Sequence, residues 1–250
     1  MYDRALVPAL LVVLAFLQDP LCGGEAASHV AEARRRGEAF DLSGAVDAYT
    51  AAVRAGCPSA QSAAIYLRGI VYARAADAQF GSATALQPLK QAITDLQPFA
   101  AGDVVARAMQ AVLRAAMPAA QHERAEMSLF IDEMLRMESL QLEARQPALP
   151  VLSAHEVAGQ FWLQLHLYEE ARRAFEVAAQ RIGQTPHVRL GLARAAAAGR
   201  RNMPAACEQY RALVAWWKDR PGMPPEIAEA RAFLKEPQCT TAPAKPDTRR

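Results

Sequence analysis

Residues 152–183, LSAHEVAGQFWLQLHLYEEARRAFEVAAQRIG, decide the fold. Apolar residues recur there at three- and four-residue steps, the spacing of one helix face, and nothing alternates as a strand would. The stretch reads as a pair of helices carrying Gly159, Trp162, Tyr168, Ala171, Phe175 and Ala178. Small residues at 159, 171 and 178 allow close helix approach. Trp162 and Phe175 are large enough to fill the space between one pair and the next. A lone pair cannot bury its apolar face, so pairs of this kind must stack.

The pattern continues outward on both sides. Downstream, Ala206-x3-Tyr210 repeats the small-x3-aromatic step 35 residues after Ala171. Upstream, Ala45-x3-Tyr49-x2-Ala52 and Ala85-x3-Leu89-x2-Ala92 lie 40 residues apart, and Gly69-x2-Tyr72 precedes the second. Breakers set the limits of each pair. Gly56-Cys57-Pro58 closes the first, within which Ser43 is the expected cap of the second helix. The second pair runs from about 59 to a stop before Pro98. The third spans 102–146 with a break near Pro118, and Pro147 and Pro150 mark a joint. Pairs at 152–183 and 186–218 come next, then a short helix at 225–235 with Pro225 in its first turn.

These residues resemble the tetratricopeptide repeat, a helix–turn–helix of about 34 residues. The resemblance is strongest over 152–218. It implies an all-α, right-handed solenoid of about five helical pairs closed by a C-terminal capping helix. The repeat-packing positions are Ala45, Tyr49, Gly69, Tyr72, Ala85, Leu89, Gly159, Trp162, Ala171, Phe175, Ala178, Ala206 and Tyr210. It also implies a concave groove, lined by the first helix of each pair, that receives a peptide or a partner helix. Polar positions of those helices make Arg34, Glu38, Tyr66, Arg74, Glu156, Gln160, Gln164, His187 and Arg194 the candidate groove residues. The Lys/Asn/Arg set with which some members of the family clamp peptide C-termini is not evident.

Composition bounds the rest. The 28 Lys and Arg against 26 Asp and Glu give a net charge of +2, too balanced for an obvious nucleic-acid binder. Hydrophobic residues reach 52% with only 7% aromatic, so Ala and Leu carry the apolar content and favour helix. Richness in Ala and Arg reads as a GC-rich bacterial coding sequence. None of His29, His122, His155, His166 and His187 forms a His-Glu-x-x-His zinc pattern, and no phosphate-cradling Gly-rich loop or Gly-x-Ser-x-Gly elbow occurs. Asp132, Glu133 and Glu138 read as a solvated helix face. No set of nucleophile, base and orienter can be named, so the expectation is a non-enzyme without cofactor or metal.

The N-terminus reads as an export address. Ala5 to Leu17 is an unbroken apolar run, too short to span a bilayer and suited to a signal peptide. Gly24-Glu25-Ala26 fits a small-x-small cleavage pattern, which sets the expected units: signal 1–26, degenerate repeats 27–146, repeats with cap 152–235, and a loose tail 236–250. Membrane contact is expected only through an uncleaved signal or a lipidated Cys22. An oxidising compartment permits a Cys207–Cys239 bridge; the other reading is a buried Cys207 and a loose Cys239 thiol. With the bridge, Cys57 is the odd cysteine, a free thiol. Trp216 and Trp217 point about 100° apart on a helix, so one is expected under the cap and the other partly exposed.

The expectation is therefore an exported, periplasmic or envelope scaffold that holds a protein or peptide partner. The alternative is a small-ligand or lipid-binding solenoid whose pocket lies in 102–146, lined by Met127, Met134 and Met137. The first implies an open groove, the second a closed apolar cavity.

Overall fold

The computed structural model describes residues 22–198 and 202–240. The apolar run Ala5–Leu17, the start of the turn at Gly199 and the end of the expected tail lie outside them. The described chain is an all-α array of helices packed in consecutive antiparallel pairs. The pairs are α1 (Gly24–Glu38) with α2 (Leu42–Arg54), α3 (Ala60–Asp77) with α4 (Ala83–Ala100), and α5 (Val104–Ala120) with α6 (Arg124–Glu143). Then come α7 (Ala154–Gln164) with α8 (Tyr168–Ile182), and α9 (Pro186–Ala198) with α10 (Met203–Trp217). Helix α11 (Pro225–Phe233) covers α10, and a single turn, α12 (Pro237–Thr240), comes last.

Local chemistry accounts for the limits. Asp41, not Ser43, caps α2: its side chain accepts the Gly44 N–H at 2.8 Å, and Ser43 lies inside the first turn. Pro98 and Pro118 do not stop their helices. α4 runs on to Ala100 and α5 to Ala120, each giving up the backbone bond that the proline N–H would have made to the carbonyl four residues earlier. Ser153 opens α7 with a capping box, accepting from the Glu156 N–H while the Glu156 carboxylate accepts the Ser153 N–H at 2.7 Å.

Inner helices meet in succession, α3 with α5, α5 with α7, and α7 with α9. The close approaches are made by glycine. A side chain at Gly69 would run into Leu113 of α5. Gly159 of α7 and Gly191 of α9 each face the ring of Phe175, which is wholly buried. Burial of such a side chain stabilises by about 1.5–3 kcal/mol. Ala45, Leu89, Ala171, Ala178 and Ala206 are buried, as are Tyr49 and Tyr210, whereas Ala85, Tyr72 and Trp162 are half-buried against the core.

The array does not stay open. The joint at Pro147 and Pro150 is a ten-residue segment that crosses to the inner face. There Leu149 and Leu152 are buried, the Tyr66 hydroxyl donates to the Leu152 carbonyl at 3.0 Å, and Val151 fills the space left by Gly37 of α1. Phe40, in the α1–α2 turn, belongs to one apolar cluster with Leu190 of α9, Tyr210 and Trp217 of α10 and Ile227 of α11. The first pair therefore touches the last. Trp217 is buried and donates to the Gly222 carbonyl at 3.1 Å; Trp216 is half-buried with the Arg220 guanidinium 3.7 Å over its ring. Among the described residues no helix is long and apolar enough to cross a membrane.

Candidate functional site

The inner surface holds two pockets that share His187 as a wall. One, of about 360 Å³, lies among α3, α7, α9 and α11. The other, of about 560 Å³, lies between α1, the starts of α3 and α5, and the segment 146–151. Of the expected groove residues, Arg74, Gln160, Gln164, His187 and Arg194 come together at the first, and Arg34 and Glu38 at the second.

Two expectations are corrected here. Tyr66 and Glu156 are wholly buried and do not face the groove. Tyr66 is turned inward by its bond to Leu152, and burial drives its phenol far above the ordinary range. Glu156 is consumed by the capping box and by the Thr185 hydroxyl, which donates to it at 2.7 Å. Burial pushes the Glu156 carboxyl up, and the bonds from Ser153 and Thr185 oppose this.

His187 ties the array into a closed turn. Its Nε2–H donates to the Gly37 carbonyl at 2.8 Å, and Phe40 meets the ring edge-on at a centroid distance of 4.6 Å. Burial holds the ring neutral by lowering its pKa to about 4; the Gly37 bond works against this, while Arg74 and Arg194 add repulsion.

The two arginines of the smaller pocket differ in kind. Arg194 is neutralised: its guanidinium meets both oxygens of Glu229, Nε at 3.0 Å from Oε1, and the Tyr210 hydroxyl donates to Oε1 at 2.8 Å. Burial raises Glu229, but those donors outweigh it and leave the carboxyl below its ordinary range. Arg74 instead donates from Nη2 to Gln160 Oε1 at 3.3 Å. Its side chain reaches solvent through the pocket mouth while protein surrounds it. Desolvation lowers its pKa, Glu226 opposes, and Arg194 reinforces. One turn beyond Gln160, Gln164 Oε1 is shielded from water without a donor.

Phe40, Leu163, Leu190 and Glu226 also line this pocket, and nothing in the sequence marks them. Phe40 sits in a turn at φ 67°, outside any helical period, and only curvature of the whole array carries it to α9.

Sequence reasoning also missed a second polar cluster. Glu138 is not on a solvated face. It is buried on α6, bonded to the His155 ring, and accepts the Ala154 N–H at 2.7 Å at the start of α7, with Arg181 at 3.8 Å. A carboxylate at a helix N-terminus is favourable, so this group locks α6 to α7 across the long joint. Met127, Met134 and Met137 pack into the main core.

The cysteines form two bridges. Cys207 and Cys239 are bonded, Cα–Cα 5.5 Å, which pins α12 to α10. Cys57 is not free: it is bonded to Cys22, Cα–Cα 5.1 Å. Ala26 is buried inside α1, so a boundary after it would cut the first turn of that helix and strand Cys57. No protein-family model, no curated protein and no solved structure matches this chain.

Proposed function

We propose that this protein is an exported, non-enzymatic scaffold of tetratricopeptide type that seats a segment of a partner protein on its inner face. The observation that carries the reading is the 360 Å³ pocket, where Arg74, Gln160, Gln164, His187 and Arg194 converge from three inner helices. A concave pocket with a few convergent polar groups is the ordinary form of a binding site. The Gly159–Phe175–Gly191 stacking and the recurrence of the small-x3-aromatic step support the repeat assignment. The two disulfides and the apolar run Ala5–Leu17 support export, because such bridges persist in oxidising compartments. Inner-face binding, rather than catalysis, also suits the remaining polar cluster, since Glu138 and His155 are buried and committed to holding α7.

The test is photocrosslinking in cells. A benzophenone side chain replacing Leu163, on the pocket wall, is compared with one replacing Glu133, on the outer face of α6. An adduct with one protein species from position 163 and none from 133 supports the reading. No adduct from 163, or the same adducts from both, overturns it. The small-ligand reading loses its expected place in 102–146, where Met127, Met134 and Met137 are core residues, and keeps one supporting observation, a pocket volume of about 360 Å³ within the range of small-molecule sites. Native mass spectrometry of the exported chain would then show a bound mass that the photocrosslinking does not.

A further inference from the structure

We propose that the inner face of the first three pairs carries a seat for an extended, uncharged partner segment of Leu-Pro-Val type. The chain's own residues 147–152 form a strap that holds this seat, and the partner segment competes with the strap for it. The inference rests on the reading that a partner segment lies on the inner face; it adds a second seat and names the chemistry that fits it.

The strap itself shows what fits. Residues 146–153, between α6 and α7, have no regular secondary structure. They cross the inner face as a bound peptide would. Leu149 and Leu152 are buried, Val151 fills the notch left by Gly37 of α1, and the Tyr66 hydroxyl of α3 donates to the Leu152 carbonyl. Gln146, Pro147 and Ala148 stay exposed. Among the described residues the backbone N–H groups of Ala148, Leu149 and Val151 make no hydrogen bond, and Pro147 and Pro150 have none to give. The strap is therefore held by apolar anchors and one carbonyl rather than by a backbone ladder. Grooves read proline-bearing extended segments in this way, because proline leaves little backbone freedom to lose on binding.

Two features make this occupant replaceable. The Leu152 N–H donates to the Pro150 carbonyl at 2.8 Å, a three-residue turn centred on Val151 at φ 68°. Such a turn is strained, the more so for a β-branched residue. It redirects the chain into Ser153, the cap of α7, which a separate segment has no need to do. A partner segment can fill the same anchors without that strain. The second feature is the 560 Å³ pocket that runs beside the strap, walled by Gln146–Ala148 on one side and by α1 and α5 on the other. It gives an incoming segment room to dock before the strap leaves. Val30, Ala63, Val105 and Met109 provide apolar wall. Of the charged side chains there, Arg34 and Glu38 offset each other and Asp103 is committed to the Val105 N–H at the start of α5, which favours an uncharged occupant.

The experiment adds a fluorescein-labelled, C-amidated peptide, QPALPVL, the sequence of residues 146–152, to the full-length exported chain and follows its anisotropy. The wild type is compared with Leu149→Ser/Val151→Ser, which strips the strap of anchors and leaves the seat intact. Apparent affinity falls with the fraction of sites vacant, so the variant should bind the peptide more tightly than the wild type by about ten-fold or more. A peptide with Ser at both anchor positions should bind neither protein. In the variant, Gly37→Ala should abolish binding of QPALPVL, and a peptide with Gly in place of its Val should restore it. A joint with only a structural role would show no such reciprocal fit. Where the double variant lacks a cooperative melt, Val151→Ser alone is compared, with a gain of about three-fold expected. Equal affinity in the wild type and a folded variant, no binding at millimolar peptide, or binding indifferent to Gly37→Ala overturns the proposal. Any of these results with an adduct from position 163 removes the strap's seat and leaves inner-face binding standing. Absence of that adduct removes the broader reading.

Discussion

The Nε2–H of His187 donates to the carbonyl of Gly37 at 2.8 Å across 150 residues of chain. This bond joins the fifth inner helix to the first, so that the stack of pairs curves back on itself with a pocket on either side of His187. Replacing His187 with Leu leaves a buried carbonyl without a donor, at an expected loss of about 1–3 kcal/mol. Urea unfolding at pH 7 measures it.

The same residue sets a pH dependence. His187 has a folded pKa of about 4 against an ordinary 6.5, so between these values the unfolded chain binds the extra proton. Stability from this group is complete above pH 6.5 and falls progressively on acidification towards pH 4, by up to about 3 kcal/mol. Glu156 acts in the opposite sense, because burial raises its carboxyl and protonation relieves it. Comparing wild type with His187→Gln at pH 7 and pH 4.5 isolates the histidine: the variant should lose less stability on acidification. Equal losses in the two proteins would refute the assignment.

Phe175 is held between two glycines. A methyl group at Gly191 would overlap the ring, and Gly159 packs against the same end of that ring, so there is little room for it to shift. Gly191→Ala gains up to about 1 kcal/mol of helix propensity, but overpacking costs about 1–3 kcal/mol. A net loss is expected. Adding Phe175→Leu to Gly191→Ala should recover part of it, a coupling that a double-mutant cycle reads directly. Gly102→Ala, whose added carbon meets open space, should be close to neutral.

Glu138 should prove far more costly to remove than its neighbour Glu133. Glu138→Ala strips the partner from the His155 ring and the Ala154 N–H, both buried, and a loss of about 3–5 kcal/mol is expected. Glu133 pairs with Arg136 at 2.9 Å on an exposed face, and Glu133→Ala should cost no more than about 1 kcal/mol. Thermal unfolding of the two variants side by side decides it.

The Cys22–Cys57 bridge closes 35 residues and Cys207–Cys239 closes 32, so each should stabilise by about 3–4 kcal/mol through the unfolded chain. A chain beginning at residue 27 lacks Cys22 and the first turn of α1. It should be less stable than one beginning at residue 22 by at least this amount, and reducing agent should narrow the gap. An unchanged midpoint on truncation would show that α1 does not depend on the bridge.

The pairing of helices was legible in short windows. A period of 3.6 needs only about eighteen residues to declare itself, and Gly159, Ala171 and Phe175 display the repeat contact within one pair. Breakers fixed most limits, although Pro98 and Pro118 misled: both lie inside their helices, where packing of the flanking residues outweighs one lost backbone bond. The polar faces of the inner helices also pointed to Arg74, Gln160, Gln164, His187 and Arg194.

Four outcomes belonged to the tertiary structure: the inward turn of Tyr66, the burial of Glu138 against His155, the meeting of Phe40 with His187, and the bond between Cys22 and Cys57. Each depends on partners outside its own helical window. Curvature accumulates from a small rotation at every repeat, and the ten-residue segment after α6 redirects the inner face. By itself the sequence determined that pairs form and stack. How far the stack closes, and which polar groups that closure buries or leaves facing a pocket, was decided only by the sum of those rotations.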